Sequence, residues 1–310
     1  MIDMQNSVLA NRPYWRKSME LRHMRSFLAV AEALSFVRAS RILHLSQPAL
    51  TTQIQQLEEE LGVRLFFRNK RRVELTDAGR LFVGEASEAL ERTAKAVERV
   101  RRASRGEIGL LRVGFVSSAA LSIIPRLATA FRRRYPLVQL ELMNLRTTTQ
   151  LEQLANGTLD IGFVRLPAQQ RGLLFTPIHT EPFVIVLSKH HRLAGKKSLS
   201  LKDLAEESFI LYGRRWAPGF FDQVMRMCAS AGFTPNLVQE TGEMYTAVAL
   251  VAAGEDISIL PRSVVMSQGL GIVSKTIPGT FGRSEIALVT RQDVSSPTID
   301  NFVGFAKRMD

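Results

Sequence analysis

One cysteine, Cys228, stands in 310 residues, so neither an intrachain disulfide nor a cysteine-based metal site can form. Its neighbours Met225, Met227 and Ala229 suggest a buried helical thiol and not a redox sensor. No apolar run reaches the roughly 20 residues that a membrane-crossing helix needs. The opening MIDMQNSVLANRPYWRKS lacks the apolar core of a signal peptide, so a cytoplasmic protein is expected. Catalytic signatures are missing as well: there is no GxSxG elbow and no glycine-rich phosphate loop. The close pair His190-His191 lies in a basic loop without carboxylates, and Ser117-Ser118 has no neighbouring His or Lys to activate it. The sequence therefore calls for no enzyme, no metal and no cofactor.

What is present is positive charge and enough apolar residues for real cores. The net charge is +12 and 45% of residues are hydrophobic, over a length that suits two or three domains. Residues 1–106 hold 19 Lys/Arg against 12 Asp/Glu, and residues 107–310 hold 22 against 17. The shorter N-terminal part thus carries +7 of the total, as expected if it meets phosphates.

The stretch from Phe36 to Leu75 is the most informative. It reads as a short helix, a tight turn at His44-Leu45-Ser46, a second helix from Gln47, and a basic hairpin. Leu50, Ile54, Leu57 and Leu61 form one buried stripe at helical spacing. The other face carries Gln47, Thr51, Thr52, Gln55 and Gln56, an uncharged polar set that suits base edges better than a solvated Lys/Glu face would. Ser46 is a natural N-cap, and Pro48 sits in the first turn, where its missing N–H costs nothing. Arg68-Asn69-Lys70-Arg71-Arg72 then forms a cationic loop between apolar strands, suited to phosphates and a narrow minor groove.

The run SFVRASRILHLSQPALTTQIQQLEEELGVRLFFRNKRRVELTDAGRLF resembles the N-terminal domain of LysR-type transcriptional regulators. The similarity extends from Met19 to the C-terminus, and residues 1–18 are expected to be an extension outside the fold. The resemblance implies an α/β protein with a winged helix-turn-helix domain over 19–78, a linker and dimerisation helix over 79–106, and a two-lobed effector domain of periplasmic-binding-protein type over 107–310. Lobe I is expected at 107–179 and 282–310, lobe II at 180–281, with the crossing strands near Pro177–Pro182 and Ile277–Arg283. GFVSSAALSIIPRLATAFRRRYP, TTTQLEQLANGTLDIGFVR and LVAAGEDISILPRSV are similar to the branch that answers to benzoate, muconate and related acids.

The residues fit this layout. Between Thr76 and Gly106 there is no proline, and Val83, Ala86, Leu90, Thr93, Val97 and Val100 recur as a heptad seam suited to dimerisation. Beyond Gly106, strands at 111–116, 138–143, 159–164, 182–188, 209–212, 237–240, 256–261 and 284–290 alternate with helical segments. Such alternation predicts a largely parallel sheet.

The resemblance assigns DNA contacts to Gln47, Pro48 and Thr51 in the recognition helix, with Thr52 beside them, and to Arg68 and Arg71 in the wing. Two departures stand out. Thr51-Thr52 replaces the usual Ser-Arg, and Val37 replaces a capping Thr, whose role falls to Ser35. For the effector, the resemblance implies a cleft between the lobes, with Ser118 and Thr147 at strand-to-helix turns favouring a carboxylate. Pro218 and Phe220 are implied as apolar walls. Arg165 suits either a ligand carboxylate or a salt bridge within its lobe, the effector role being favoured. Gly213-Arg214-Arg215-Trp216 departs from the branch, which leaves the effector unnamed. The expected partners are promoter DNA, a small carboxylate, RNA polymerase and further copies of the chain, as a dimer through the linker helix and a tetramer. The alternatives are a regulator of another pathway with a different effector, or an effector-independent DNA binder.

Overall fold

A computed structural model describes residues 19–69, 72–254, 256–266, 271–277 and 283–309. The expected extension 1–18 and Arg71 lie outside the described residues. By internal packing the chain divides into two units near Arg101–Arg102.

In the first unit, α1 (Leu21–Ala33), α2 (Phe36–Ile42) and α3 (Gln47–Leu61) precede a hairpin of β1 (Phe66–Asn69) and β2 (Arg72–Leu75). The helix starts are set by hydroxyls. Ser35 accepts from the Arg38 N–H and so caps α2 where Val37 cannot. Ser46 accepts from the Ala49 N–H, and Gly62 ends α3 at φ 69°. Leu50, Ile54 and Leu57 are fully buried against Phe27, Val30, Ala39, Leu65 and Phe66, while Leu61 packs at the edge. Each such side chain contributes about 1.5–3 kcal/mol of burial. The hairpin is tied to α3 because Glu58 Oε1 accepts from the Leu65 N–H at 2.9 Å and the Phe66 N–H at 3.2 Å.

Helix α4 (Asp77–Ser104) begins at Thr76, whose Oγ1 accepts from the Gly79 N–H and donates to the Arg64 carbonyl. The expected seam is divided. Ala86 is completely buried in the unit's own core, with Val83 packed against that core. A heptad pattern cannot tell a partner helix from a domain lying on the same face. Farther along, Val97 and Val100 remain 46% and 70% exposed, so the C-terminal half of the stripe is the part left uncovered.

In the second unit, β3 (Ile108–Phe115), α5 (Ile124–Arg134), β4 (Leu137–Asn144), α6 (Thr147–Asn156) and β5 (Ile161–Arg165) build lobe I, with α10 (Pro297–Ala306) closing its core. Gly106 takes φ 68°, and a Cβ there would lie 2.3 Å from the Pro297 carbonyl carbon, so only glycine admits the chain at this entry. Strand β6 (Leu173–Ser188) then runs 16 residues into lobe II. That lobe contains β7 (Ser208–Tyr212), α7 (Pro218–Ser230), β8 (Asn236–Thr241), α8 (Met244–Ala253), β9 (Ser258–Pro261), α9 (Arg262–Met266) and β10 (Ile272–Thr276). Strand β11 (Arg283–Arg291) returns antiparallel beside β6, pairing Arg283 with Pro182 and Arg291 with Leu173.

The main sheet runs β10-β6-β11-β5-β3-β4. Strand β3 is parallel to β4 and β5, but β11 is antiparallel to both β5 and β6. The sheet is thus mixed, where a largely parallel one was expected. Continuous apolar runs such as IALVT record burial on both faces and carry no sign of direction. Cys228 lies in the lobe II core, and burial pushes its thiol up to about 12, which keeps it protonated and unreactive.

Candidate DNA-reading face and ligand cleft

The cap at Ser46 leaves the N-terminal turn of α3 outward. Gln47, Pro48 and Thr52 are exposed and Thr51 is half-buried. The Thr51 hydroxyl donates to the Gln47 carbonyl at 2.9 Å, and the Thr52 hydroxyl to the Pro48 carbonyl at 3.1 Å. With those protons spent on the helix, the two threonines offer lone pairs and methyl groups. These suit base-edge donors and a thymine methyl, and not phosphate oxygens. Arg68 lies on β1 opposite Val73. Two cations that the sequence reading passed over, Arg38 and Arg41, are exposed on α2. In a helix-turn-helix the first helix crosses the backbone, and that is the signal that marks them.

In the second unit, β3 has β4 on one side and β5 on the other, so the chain switches direction at its carboxyl end. Open α/β sheets bind ligands at such a point. Ser118 follows β3, Thr147 opens α6 after β4, and Arg165 ends β5. All three are buried and line one small chamber together with Val116, Ser117, Tyr212, Ala217, Glu243 and Met244. Its volume is about 20 Å³, enough for a single water. Arg165 Nη2 donates to Ser118 Oγ at 2.5 Å and Nη1 to Ser284 Oγ. The guanidinium also lies 3.5 Å from the buried Glu181 carboxylate. Desolvation presses Arg165 below the usual guanidinium range, and Glu181 opposes the shift. Its Nε has no hydrogen-bond partner among the described residues.

Lobe II closes over this chamber. Ser117 donates to Glu243 Oε2 at 2.8 Å, and the Tyr245 hydroxyl donates to the Ser117 carbonyl at 3.0 Å. Burial, with the Glu243 carboxylate adding to it, raises Tyr212 and Tyr245 to about 12, so both phenols stay neutral. From beneath, the fully buried Gln150 donates to the Leu145 and Phe163 carbonyls and holds the start of α6 against β5.

The two expected apolar walls, Pro218 and Phe220, do not line this chamber. Phe220 is buried in the lobe II core, its ring 5.8 Å from Phe183 and 6.2 Å from Tyr212, and Pro218 is exposed at the start of α7. Helix α7 turns its Phe inward with Val224 and Cys228, and Tyr212 supplies the aromatic wall instead. A larger cavity of about 730 Å³ involves Leu121, Ile123, Arg126, His179, Glu181 and Met309, and shares no lining residue with the chamber. Among the described residues no cluster of His, Cys, Asp and Glu could hold a metal, and no helix is long and apolar enough to cross a membrane.

Residues 21–80 match the bacterial regulatory helix-turn-helix protein, LysR family, and residues 104–310 match the LysR substrate binding domain. The HTH-type transcriptional regulator AlsR of Bacillus subtilis is 37% identical over 285 residues, spanning 92% of this chain and 94% of that protein. The Hca operon transcriptional activator HcaR of Escherichia coli is 32% identical over 289 residues, spanning 93% and 97%. Among solved structures, CbnR, a LysR family transcriptional regulator, superposes with a TM-score of 0.84 at 32% identity, covering 93% of this chain and 100% of that one. Full-length CbnR complexed with its target DNA superposes at 0.82, also at 32% identity, covering 94% and 99%. These relatives are regulators and not enzymes. Both halves of this chain carry the corresponding architecture, and the protein belongs to the LysR family of DNA-binding transcriptional regulators, with an N-terminal helix-turn-helix and an effector-binding domain.

Proposed function

We propose that the protein senses a small carboxylate in the cleft between its lobes and transmits binding to promoter DNA. One observation carries this reading. Ser118, Thr147 and Arg165, from three separate strand ends, converge on one chamber in which the buried Arg165 Nε lacks a partner among the described residues. The carboxylate takes the Ser118 and Thr147 donors. The aromatic or diene part of the acid lies against Tyr212, Ala217 and Met244. A space of about 20 Å³ admits this ligand only after the lobes part, which breaks the Ser117–Glu243 bond. The acid therefore prefers the parted state, and that difference in affinity is what shifts the population. The chain acts as a dimer through the uncovered half of α4, and as a dimer of dimers on spaced half-sites. A change in lobe angle alters the DNA bend and lets RNA polymerase act.

A thermal-shift screen against aromatic and aliphatic acids tests the ligand side. A ligand at 100 times its dissociation constant adds about 2.7 kcal/mol. The shift should be confined to aromatic or muconate-like acids and lost in Ser118→Ala, with promoter binding retained. Loss of DNA binding in that variant would make Ser118 a structural cap instead.

On the DNA side, Gln47→Ala should relax base preference at one position by about 1–3 kcal/mol. Arg71→Ala should weaken all sequences alike and flatten the salt dependence by about one unit of slope. Identical behaviour of the two variants in a salt-titrated binding assay would overturn this division of roles.

A further inference from the structure

The Gly213-Arg214-Arg215-Trp216 turn, which departs from the related branch, is not used by the inner chamber. Trp216 packs against the lobe II core beside Tyr212, its ring nearly parallel to that of Tyr212, at 6.2 Å and 11°. Arg215, its neighbour, covers the ring at 3.8 Å. Across the cleft, the guanidinium of Arg146 from lobe I sits 5.3 Å from the Trp216 ring centre. Arg146 is also the N-cap residue of α6, one position before Thr147. Its side chain lines a second, outer chamber of about 300 Å³ with Asn144, Thr149, Tyr212, Ser117 and Glu243. Four residues, Val116, Ser117, Tyr212 and Glu243, border both chambers.

The charges in the outer chamber are unequally engaged. Glu243 already accepts the Ser117 hydroxyl. Arg146, among the described residues, has no carboxylate within ion-pair distance, and its partner is the Trp216 ring. A guanidinium whose neighbour is an aromatic ring, which accepts no conventional hydrogen bond, keeps its N–H groups available for a planar acceptor. We infer that Arg146 is a further ligand-binding residue and Trp216 its positioning residue: together they recognise a second anionic group at the far end of the acid whose first carboxylate enters the inner chamber. The inference rests on the carboxylate reading above and adds the part of the site that sets ligand length and charge. A second carboxylate also approaches Glu243, and it is Arg146 that makes this approach favourable. Removing Arg146 should therefore do more than weaken binding; it should reverse the preference.

The test uses the full-length protein and two matched pairs of probes, sorbate with muconate and benzoate with terephthalate, read by calorimetric or thermal-shift affinity. In the wild type the dianion of each pair should bind at least as tightly as its monoanion. In Arg146→Met the monoanions should be unchanged, while the dianions lose about tenfold or more and fall below them. Trp216→Leu should lose part of the dianion preference, and Trp216→Phe should restore it, which loosening of the turn alone would not produce. Equal responses of monoanion and dianion to Arg146→Met would overturn the inference while leaving the inner carboxylate site standing. No shift with any of the four acids would overturn the carboxylate reading and this inference together.

Discussion

Replacing Arg165 by Met should lower the melting temperature of the effector-binding unit by roughly 10 °C and abolish its response to acids. The reason is the isolation of Glu181. Both side chains of the pair are almost fully buried, at 2% and 6% exposure, and face one another at 3.5 Å. Breaking a buried pair by removing one partner costs about 3–5 kcal/mol, because the other charge stays in the interior uncompensated. In a unit of this size each kcal/mol is worth about 2–4 °C. Glu181 keeps two bonds, to the Ser263 N–H at 2.6 Å and the Ser263 hydroxyl at 2.9 Å, which favours the lower end of that range. The depressed guanidinium range of Arg165 has the sign of a charge held at a cost, offset by Glu181. The double variant Arg165→Met/Glu181→Met should accordingly recover most of the stability, since nothing charged is left behind. It should not recover acid binding, because the chamber still lacks its cation. Scanning calorimetry of the three variants, with and without a responding acid, separates the two roles. A single variant as stable as the wild type would mean that water reaches Glu181.

How much of this was legible beforehand follows from what each residue's pattern records. The recognition helix was plain in the sequence because its cap at Ser46, its stripe at Leu50, Ile54 and Leu57, and its polar face are all local, and short-range chemistry fixes them. Ser118, Thr147 and Arg165 were found through family motifs that sit at the ends of apolar strands. Their convergence rests on sheet order, which no local pattern encodes. Arg165 carried two readings, salt bridge or ligand, and the structure gives it both a Glu181 partner and a place in the chamber wall. Glu181, Ser284 and Gln150 were missed. A lone Glu between Thr180 and Pro182 reads as a solvated strand residue, and only the antiparallel return of β11 encloses it. Phe220 lies in the lobe II core, where an aromatic in the first turn of an amphipathic helix can face a cleft or a core equally well by pattern alone. Ala86 failed for the matching reason: a heptad position is equally consistent with a partner helix and with the helix's own domain.

Phe66→Ala should destabilise the DNA-binding unit by about 3–5 kcal/mol and abolish operator binding, with acid binding unaffected. Phe66 is the root of the wing and completely buried. Its ring lies 5.4 Å from Phe27 on α1 and 6.0 Å from Phe36 on α2, while its N–H is held by Glu58 on α3. One residue thus ties the basic hairpin to all three helices, through its ring to α1 and α2 and through its backbone N–H to α3. Truncation removes the transfer energy of the ring and leaves a cavity whose walls, three separate helices, cannot all close inward at once. The hairpin is also short, four residues in each strand, and two-stranded hairpins of this kind are marginal without packing. Wing position should therefore loosen before the unit unfolds, and affinity for all DNA sequences should fall together, unlike the base-specific loss expected of Gln47→Ala. Phe66→Leu retains most of the apolar volume and should restore much of both properties. Because the chain packs as two units, the loss should appear in the thermal transition of one of them. A variant that loses operator binding while both transitions and the salt dependence stay at wild-type values would show that Phe66 does not anchor the wing.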